Sequence, residues 1–104
     1  MKDLSLVTRK DPNNMNLSSG GVTGEVRIHS QFGLHARPAA QLVKLAQQYS
    51  SEIRLKTANG EADAKSILDI LSLAAGPGVK IQIHADGADE KEALETVIAF
   101  LNNS

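Results

Sequence analysis

His35 and Arg37 are the two residues whose types and spacing best support chemistry. They lie in the segment GLHARPAA (33–40) at the predicted start of a helix, where Pro38 fits because its missing N–H would have no intrahelical acceptor. The free N–H groups of the first turn, including that of Ala36, form an anion site. The positive helix end and the Arg37 guanidinium disfavour imidazolium, so a neutral His35 nitrogen can attack phosphorus. The same N–H groups and Arg37 would then bind the phosphoryl oxygens through charge-assisted hydrogen bonds.

The other candidate residues have simpler structural interpretations, and His35 itself could be only a weak helix cap. His29 and His84 are single histidines on the outward faces of predicted strands, which favours solvated side chains over metal binding or acid–base catalysis. Ser66 has the position of a helix N-cap. The sequence predicts no metal site and no cofactor.

The composition limits the classes of protein to which the chain can belong. Its 104 residues are 41% hydrophobic and 22% charged, as in one soluble globular domain. The 11 Lys and Arg against 12 Asp and Glu leave no basic excess, so we expect no nucleic-acid partner. The absence of cysteine excludes disulfides, thiol nucleophiles and thiolate zinc sites. No apolar run approaches the ~18 residues of a membrane span, so we expect a cytoplasmic protein without membrane insertion.

Residues 1–23 are mostly polar and contain the turn signals DPNN and SSGG. Leu4, Leu6 and Val7 could form a short strand, but a segment so poor in apolar residues cannot bury a core alone. We therefore divide the chain into an N-terminal extension or linker (1–23) and one domain (24–104).

The domain alternates between a hydrophobic period of two residues, typical of strands, and one of 3.6 residues, typical of helices. The spacing predicts strands at Glu25–His29, Glu52–Thr57, Glu61–Asp63 and Val79–Ala85. It predicts a helix over Ala36–Tyr49, a short helix after Ser66 that ends at Gly76-Pro77-Gly78, and a final helix after Asp89.

Short local signals set the boundaries between these elements. Asn59-Gly60 is a two-residue hairpin signal, and Ser66 with Asp69, like Asp89 with Glu92, has capping-box spacing. Two strand–helix–strand units predict an α+β domain in which helices cover one face of a small sheet. The open face would carry polar and charged side chains, namely Arg27, His29, Arg54, Lys56, Lys80, Gln82 and His84.

Three motifs resemble the HPr family, the histidine-containing phosphocarriers of the bacterial sugar phosphotransferase system. They are GLHARPA (33–39), AKSI (64–67) and GADE (87–90), and the resemblance extends over residues 24–104. It implies an open-faced β-sandwich with four antiparallel strands in the order 1-4-2-3 and three helices on one side. It also implies a phosphocarrier rather than an enzyme, and we expect a monomer. The extra residues 1–23 resemble either an interdomain linker of a multidomain phosphotransferase or the tail of a free carrier.

The resemblance also implies roles for individual residues. In the family, enzyme I, phosphorylated from phosphoenolpyruvate, transfers its phosphoryl group to Nδ1 of the histidine that matches His35, and the carrier donates it to an enzyme II A domain. Arg37 matches the phosphate-contacting arginine. Ser66 matches the serine that HPr kinase/phosphorylase modifies in hosts that have it, although Asp69, three residues later, would repel a phosphate there.

Both partners need a docking surface beside His35. Small alanines keep the rim around the histidine low, and the short helix could add an exposed apolar patch. The alternative, in which the whole short helix packs inward, is weakened because Ile70 and Leu73 already supply an inward set. The predicted docking residues are Ala40, Ile67, Leu68 and Leu71.

Two other functions fit parts of the sequence. An acylphosphatase-like hydrolase would also bind phosphate at an early helix start with one arginine, but nothing near Arg37 offers the asparagine or carboxylate that must orient its water. A regulatory adaptor would act through Ser66, and HPr-like proteins of that kind generally lack the active histidine that this chain has. A covalent phosphohistidine discriminates the carrier from the hydrolase.

Overall fold

The computed structural model of the protein describes residues 20–103. The predicted extension as far as residue 19, with its strand at Leu4, Leu6 and Val7, lies outside the described residues. The described part contains four strands, β1 (Val22–Arg27), β2 (Glu52–Thr57), β3 (Gly60–Asp63) and β4 (Lys80–Asp86). It contains three helices, α1 (Ala36–Ala46), α2 (Ile67–Ser72) and α3 (Glu90–Asn102). None of these helices has the length and apolar character needed to cross a membrane.

The strands form one antiparallel sheet in the order β1-β4-β2-β3. Side chains alternate across each strand, so Ile81, Ile83 and Ala85 of β4 are buried beneath the helices. α3 packs on β1 and β4, α2 contacts β3, and α1 packs against both of the other helices. The predicted α+β class and strand order are confirmed.

The core is aliphatic, as the 3% aromatic content requires. Every buried hydrophobic side chain in the described residues is Ala, Val, Ile or Leu. Helix α1 contributes Ala39, Leu42 and Ala46 at positions three and four residues apart, which is the spacing of one helix face. The core-facing side of α1 therefore fixes the rotation of the helix, and with it the direction in which its first turn points.

Strand β1 begins at Val22 and ends at Arg27, whereas the sequence pattern predicted Glu25–His29. Gly24 lies on the inward face, and a Cβ there would come within 2.6 Å of Ile98 Cδ1, so the side chain of α3 fills the space. A glycine contributes no apolar signal to a sequence pattern, so the pattern predicts a strand only from Glu25 and places Val22 and Thr23 in the extension.

Helix α1 is shorter than predicted, since it ends at Ala46 and not at Tyr49. The amides of Gln48 and Tyr49 donate to carbonyls three residues earlier, which is the tighter turn common at helix ends. Tyr49 stays partly buried through packing and through the hydrogen bond of its hydroxyl with Thr96 Oγ1 (2.7 Å). The helical spacing of core-packed side chains thus continues to Tyr49, although the helix ends at Ala46.

The hairpin between β2 and β3 turns at Ala58-Asn59, one residue before the predicted Asn59-Gly60, because Thr57 pairs with Gly60. Asn59 is held in the turn by two hydrogen bonds, from its amide to Thr57 Oγ1 (3.0 Å) and from its Nδ2 to the Leu73 carbonyl (2.9 Å). Gly60 follows with φ 140°, a backbone angle that residues with a side chain rarely adopt.

Helix α2 ends before the predicted Gly76-Pro77-Gly78 stop. Within residues 20–103, Ala74 is the one residue other than glycine with a left-handed backbone conformation (φ 50°). This conformation turns the chain away from the helix. The chain then enters β4 at Lys80, one residue later than predicted, while Val79 is only partly buried.

The predicted capping box at the start of α3 is wrong. Asp89 is the N-cap residue, but its side chain makes no capping hydrogen bond. Its carboxylate instead accepts hydrogen bonds from the Ser51 hydroxyl and from the amides of Ser50 and Ser51, both at 2.9 Å. The bond from the Ser51 hydroxyl, followed by that from the Ser50 amide, lowers the pKa of Asp89 from 3.8 to about 2. Asp89 therefore joins the start of α3 to the start of β2.

Candidate functional site

His35 is the N-cap residue of α1, with extended backbone angles of φ −92° and ψ −170°. Its carbonyl accepts the hydrogen bond of the Ala39 amide (2.9 Å), which is the first of the helix. Its side chain makes no capping hydrogen bond and is exposed. The helix start predicted just after His35 is confirmed, and the imidazole is not used as a cap.

The loop before α1 is fixed against the chain that follows α2. The Leu34 amide donates to the Ala75 carbonyl (2.8 Å), and the Leu34 side chain is buried. Gly33 has φ +70°, and a Cβ at this position would lie 2.5 Å from the same carbonyl oxygen. Only glycine allows this close approach without strain, so the motif residue Gly33 positions His35.

The first turn of α1 offers an anion site beside the imidazole. Within residues 20–103, the amides of Ala36 and Arg37 and the Arg37 guanidinium have no hydrogen-bond partner. All three groups belong to exposed residues. N–H groups at a helix start, together with a guanidinium, bind phosphate oxygens well. His35, Ala36 and Arg37 thus occupy the N-cap and the first two positions of α1, and their role in binding phosphate stays a prediction.

The short helix α2 carries the exposed apolar residues predicted from its spacing. Leu68 is 77% exposed, Ile67 36% and Leu71 37%, while Ile70 and Leu73 are buried. Ala40 is exposed on α1, which packs against α2. The alternative in which all of α2 packs inward is wrong, because one face of the helix fills the core and the other is exposed.

Ser66 is the N-cap of α2, and its Oγ accepts a hydrogen bond from the Asp69 amide (3.3 Å). The reciprocal half of the predicted capping box is missing. The Asp69 carboxylate accepts from the Asp63 amide at 3.1 Å and not from the Ser66 amide. Ser66 is half-buried, and a carboxylate group stands one helical turn away from its hydroxyl.

The other two histidines lie outside this site. His29 is exposed, as predicted. His84 is half-buried, and its Nε2 donates to the Gly20 carbonyl (3.1 Å), so this side chain is only partly solvated. No cluster of three or more His, Asp or Glu that could hold a metal ion occurs in the part of the chain that is described.

Sequence reasoning missed Phe32, which it assigned only to a turn. The Phe32 side chain is 72% exposed, and its ring meets that of His35 edge to face, with 6.2 Å between the ring centroids. One signal was available. The chain has only two phenylalanines, and one of them lies three residues before the candidate nucleophile in an otherwise polar turn.

Comparisons with known proteins agree with this geometry. Residues 22–103 match the protein family described as "PTS HPr component phosphorylation site". The chain belongs to the HPr family. A crystal structure of HPr from Bacillus anthracis is similar to it with a TM-score of 0.76 and 37% identity, over 80% of this chain and 99% of that protein.

HPr-family relatives with different names match at similar levels. Phosphocarrier protein NPr of Escherichia coli K12 is 40% identical over 79 residues, which are 75% of this chain and 88% of the relative. The HPr-like protein Crh of Halalkalibacterium halodurans is 41% identical over 80 residues, or 77% and 95% of the two chains. Membership makes this chain an HPr-family phosphocarrier of the phosphotransferase system and not an enzyme, and HPr proteins work generally with enzyme I and enzyme II A domains.

Proposed function

We propose that this carrier accepts a phosphoryl group from phospho-enzyme I on Nδ1 of His35 and passes it to enzyme II A domains of a sugar phosphotransferase system. The observation that carries the proposal is the exposed His35 ring at the start of α1, beside two unpartnered amides and the Arg37 guanidinium. The predicted domain is residues 24–104, but strand β1 begins at Val22 and the family match covers 22–103, so we place the start of the domain at residue 22.

The transfer step follows from these groups. The lone pair on His35 Nδ1 attacks phosphorus, and the bond between phosphorus and the donor breaks as the new N–P bond forms, leaving the electron pair on the donor. The Ala36 and Arg37 amides and the guanidinium receive the phosphoryl oxygens. Because these donors are present before and after transfer, they serve the return step to the acceptor equally.

The apolar residues of α2 supply the docking surface in this proposal. Ile67, Leu68 and Leu71 are exposed on a helix that packs against α1, and Ala40 adds a small side chain on α1 itself. An exposed patch of this kind suits a partner surface. Donor and acceptor use the same face, because each must reach the same nucleophile.

A second candidate function is phosphoryl transfer in the branch of the phosphotransferase system to which NPr belongs. The 40% identity to NPr supports it as well as the similarity to HPr supports the sugar branch. The two candidates share the His35 chemistry and differ in the donor and acceptor domains that the carrier contacts.

The experiment combines labelling with a choice of donors. The full chain is incubated with phosphoenolpyruvate and, separately, with enzyme I of a sugar system or the donor enzyme that phosphorylates NPr, and the modified residue is located by mass spectrometry. We expect a phosphoryl group on His35 that is labile to acid and stable to alkali, and no labelling of His35→Ala. The matched controls His29→Ala and His84→Ala should label normally. Labelling that persists in His35→Ala contradicts the proposal, and the faster donor decides the branch.

A further inference from the structure

Phe32 is an aromatic side chain in an unusual environment. It is 72% exposed, whereas Tyr49 and Phe100 are partly buried against the core. A large apolar side chain gains nothing for folding when most of its surface stays in water. The stability of the domain therefore does not explain the presence of this ring.

The backbone that carries the ring is firmly held. The Gly33 amide donates to the Ser30 carbonyl (3.1 Å), which closes a turn, and the Phe32 amide donates to Ser30 Oγ (3.2 Å). On the other side, Gly33 and Leu34 are pressed against the Ala75 carbonyl. The exposed ring thus projects from a fixed turn.

The ring of Phe32 lies against the ring of His35. The centroids are 6.2 Å apart and the ring planes meet at 82°, an edge-to-face arrangement within the favourable range for aromatic pairs. The His35 side chain makes no capping hydrogen bond to the helix, and within residues 20–103 the partner of its ring is Phe32.

We propose that Phe32 is a positioning residue for His35, holding the imidazole in the orientation from which Nδ1 meets the incoming phosphorus. The inference rests on the proposed function of His35. A nucleophile that is already oriented reacts faster, because less rotational freedom is lost on the way to the transition state. An aromatic pair of this geometry favours one orientation by about 2- to 10-fold, which sets the size of the expected effect on rate.

Two variants separate positioning from docking and from folding. Phe32→Leu keeps an apolar side chain but removes the ring, and Phe32→Tyr keeps the ring. NMR of the unphosphorylated protein measures the ring-current shift on the carbon-bound imidazole protons of His35. Phosphoryl transfer from phospho-enzyme I is then measured as kcat and KM, and the Tm of each variant is recorded.

We expect Phe32→Leu to lose the ring-current shift and to lower kcat about 2- to 10-fold, with KM and Tm close to those of the parent. Phe32→Tyr should retain both the shift and the rate. An unchanged shift in Phe32→Leu, an unchanged kcat, or an effect confined to KM would each overturn the positioning role. If the parent itself is labelled on a residue other than His35, the proposed function fails, and the NMR result still reports whether the ring contact exists.

Discussion

Arg37 is the residue with the largest expected effect on the transfer step after the nucleophile itself. Its guanidinium lies two residues after His35 and has no partner within residues 20–103. Arg37→Ala should slow phosphoryl transfer by about 2 to 4 kcal/mol of barrier, the scale for one preorganised donor, while the Tm stays unchanged. Rapid-quench measurement of His35 labelling checks this. Lys44→Ala, which removes a cation near the other end of the same helix, is the control, and equal rates in parent and Arg37→Ala would exclude the arginine from the mechanism.

Ala74 stores backbone strain close to the site. Its φ of 50° is unfavourable for a residue with a Cβ, and the following residue, Ala75, holds the loop of His35. Ala74→Gly relieves the strain but makes the unfolded chain more flexible, so we expect a net gain of at most about 1 kcal/mol in the free energy of unfolding.

Urea denaturation measures that gain. The control is Ala58→Gly, at an exposed turn position without positive φ, which should lose about 0.4 to 1 kcal/mol through the same flexibility of the unfolded chain. A loss of stability in Ala74→Gly as large as that in Ala58→Gly would show that the left-handed conformation costs nothing at position 74.

At the scale of the element, Ser66 has a structural role as the cap of α2, and we propose a regulatory role for it as well. Ser66→Ala should lose about 0.5 to 2 kcal/mol of stability and still be labelled on His35. Ser66→Asp should keep the cap, since aspartate is a good N-cap, yet slow the labelling by enzyme I because its charge lies next to the apolar face of α2. Paired measurements of Tm and labelling rate test both variants. A Ser66→Asp protein labelled as fast as the parent contradicts the regulatory role.

Asp89 links α3 to β2 in a way that depends on pH. Its pKa is lowered to about 2 in the folded protein, mainly by the Ser51 hydroxyl, against 3.8 for the ordinary group. A lowered folded pKa gives stability that is fully present above the ordinary value and is lost as the pH falls through about 2.

The difference in Tm between the parent and Asp89→Asn should therefore be constant near neutral pH and shrink as the pH falls from 3.8 towards 2. Thermal melts across this range measure it. Glu95→Gln, an exposed carboxylate on α3 with no side-chain hydrogen bond within residues 20–103, is the control. A difference that does not change with pH would mean that the charge of Asp89 does not hold the two elements together.

The elements of this fold were readable from the sequence where hydrophobic periodicity decides them. Strand β2 and the start of α1 lie where the pattern predicted, because their buried residues recur at a fixed spacing. The misplaced features depend on contacts between distant residues. Gly24 belongs to strand β1, where the Ile98 side chain of α3 packs over it. Asp89 accepts a hydrogen bond from Ser51 instead of capping its own helix.

The same division holds for the candidate site. His35, Arg37 and the exposed residues of α2 follow from local spacing, so sequence reasoning found them. The contact of Phe32 with His35 depends on the turn at Ser30 and on the close approach of Gly33 to Ala75, which no periodicity reveals. Tertiary contacts of this kind become visible only in the folded chain.

At the scale of the whole molecule, the sheet separates two surfaces of opposite character. The helices and the site lie on one side, with the apolar residues of α2. The open side of the sheet carries polar side chains, with Lys56 paired with Gln82 and Lys80 paired with Arg27. A carrier with one nucleophile must present the same side to donor and acceptor, so the open side is expected to stay free during both transfers.

A pair of charge-matched variants tests this arrangement. Leu68→Glu and Gln82→Glu each add one negative charge at an exposed position, the first on α2 and the second on the open side of the sheet. Leu68→Glu should raise KM about tenfold for both phospho-enzyme I and the enzyme II A domain, the cost of one interface residue worth ~1.4 kcal/mol. Gln82→Glu should leave both values unchanged, and neither variant should lower the Tm.

The two KM values decide between a shared and a divided docking surface. A carrier must release each partner quickly, so the interface is expected to lie at the small, transient end of the size range, below about 1,200 Å². In an interface of that size, one misplaced charge affects any partner that covers it. If Leu68→Glu raised KM for only one partner, donor and acceptor would occupy different surfaces. If Gln82→Glu raised KM for either partner, the open side of the sheet would take part in docking. Either result would show that the single docking face is wrong.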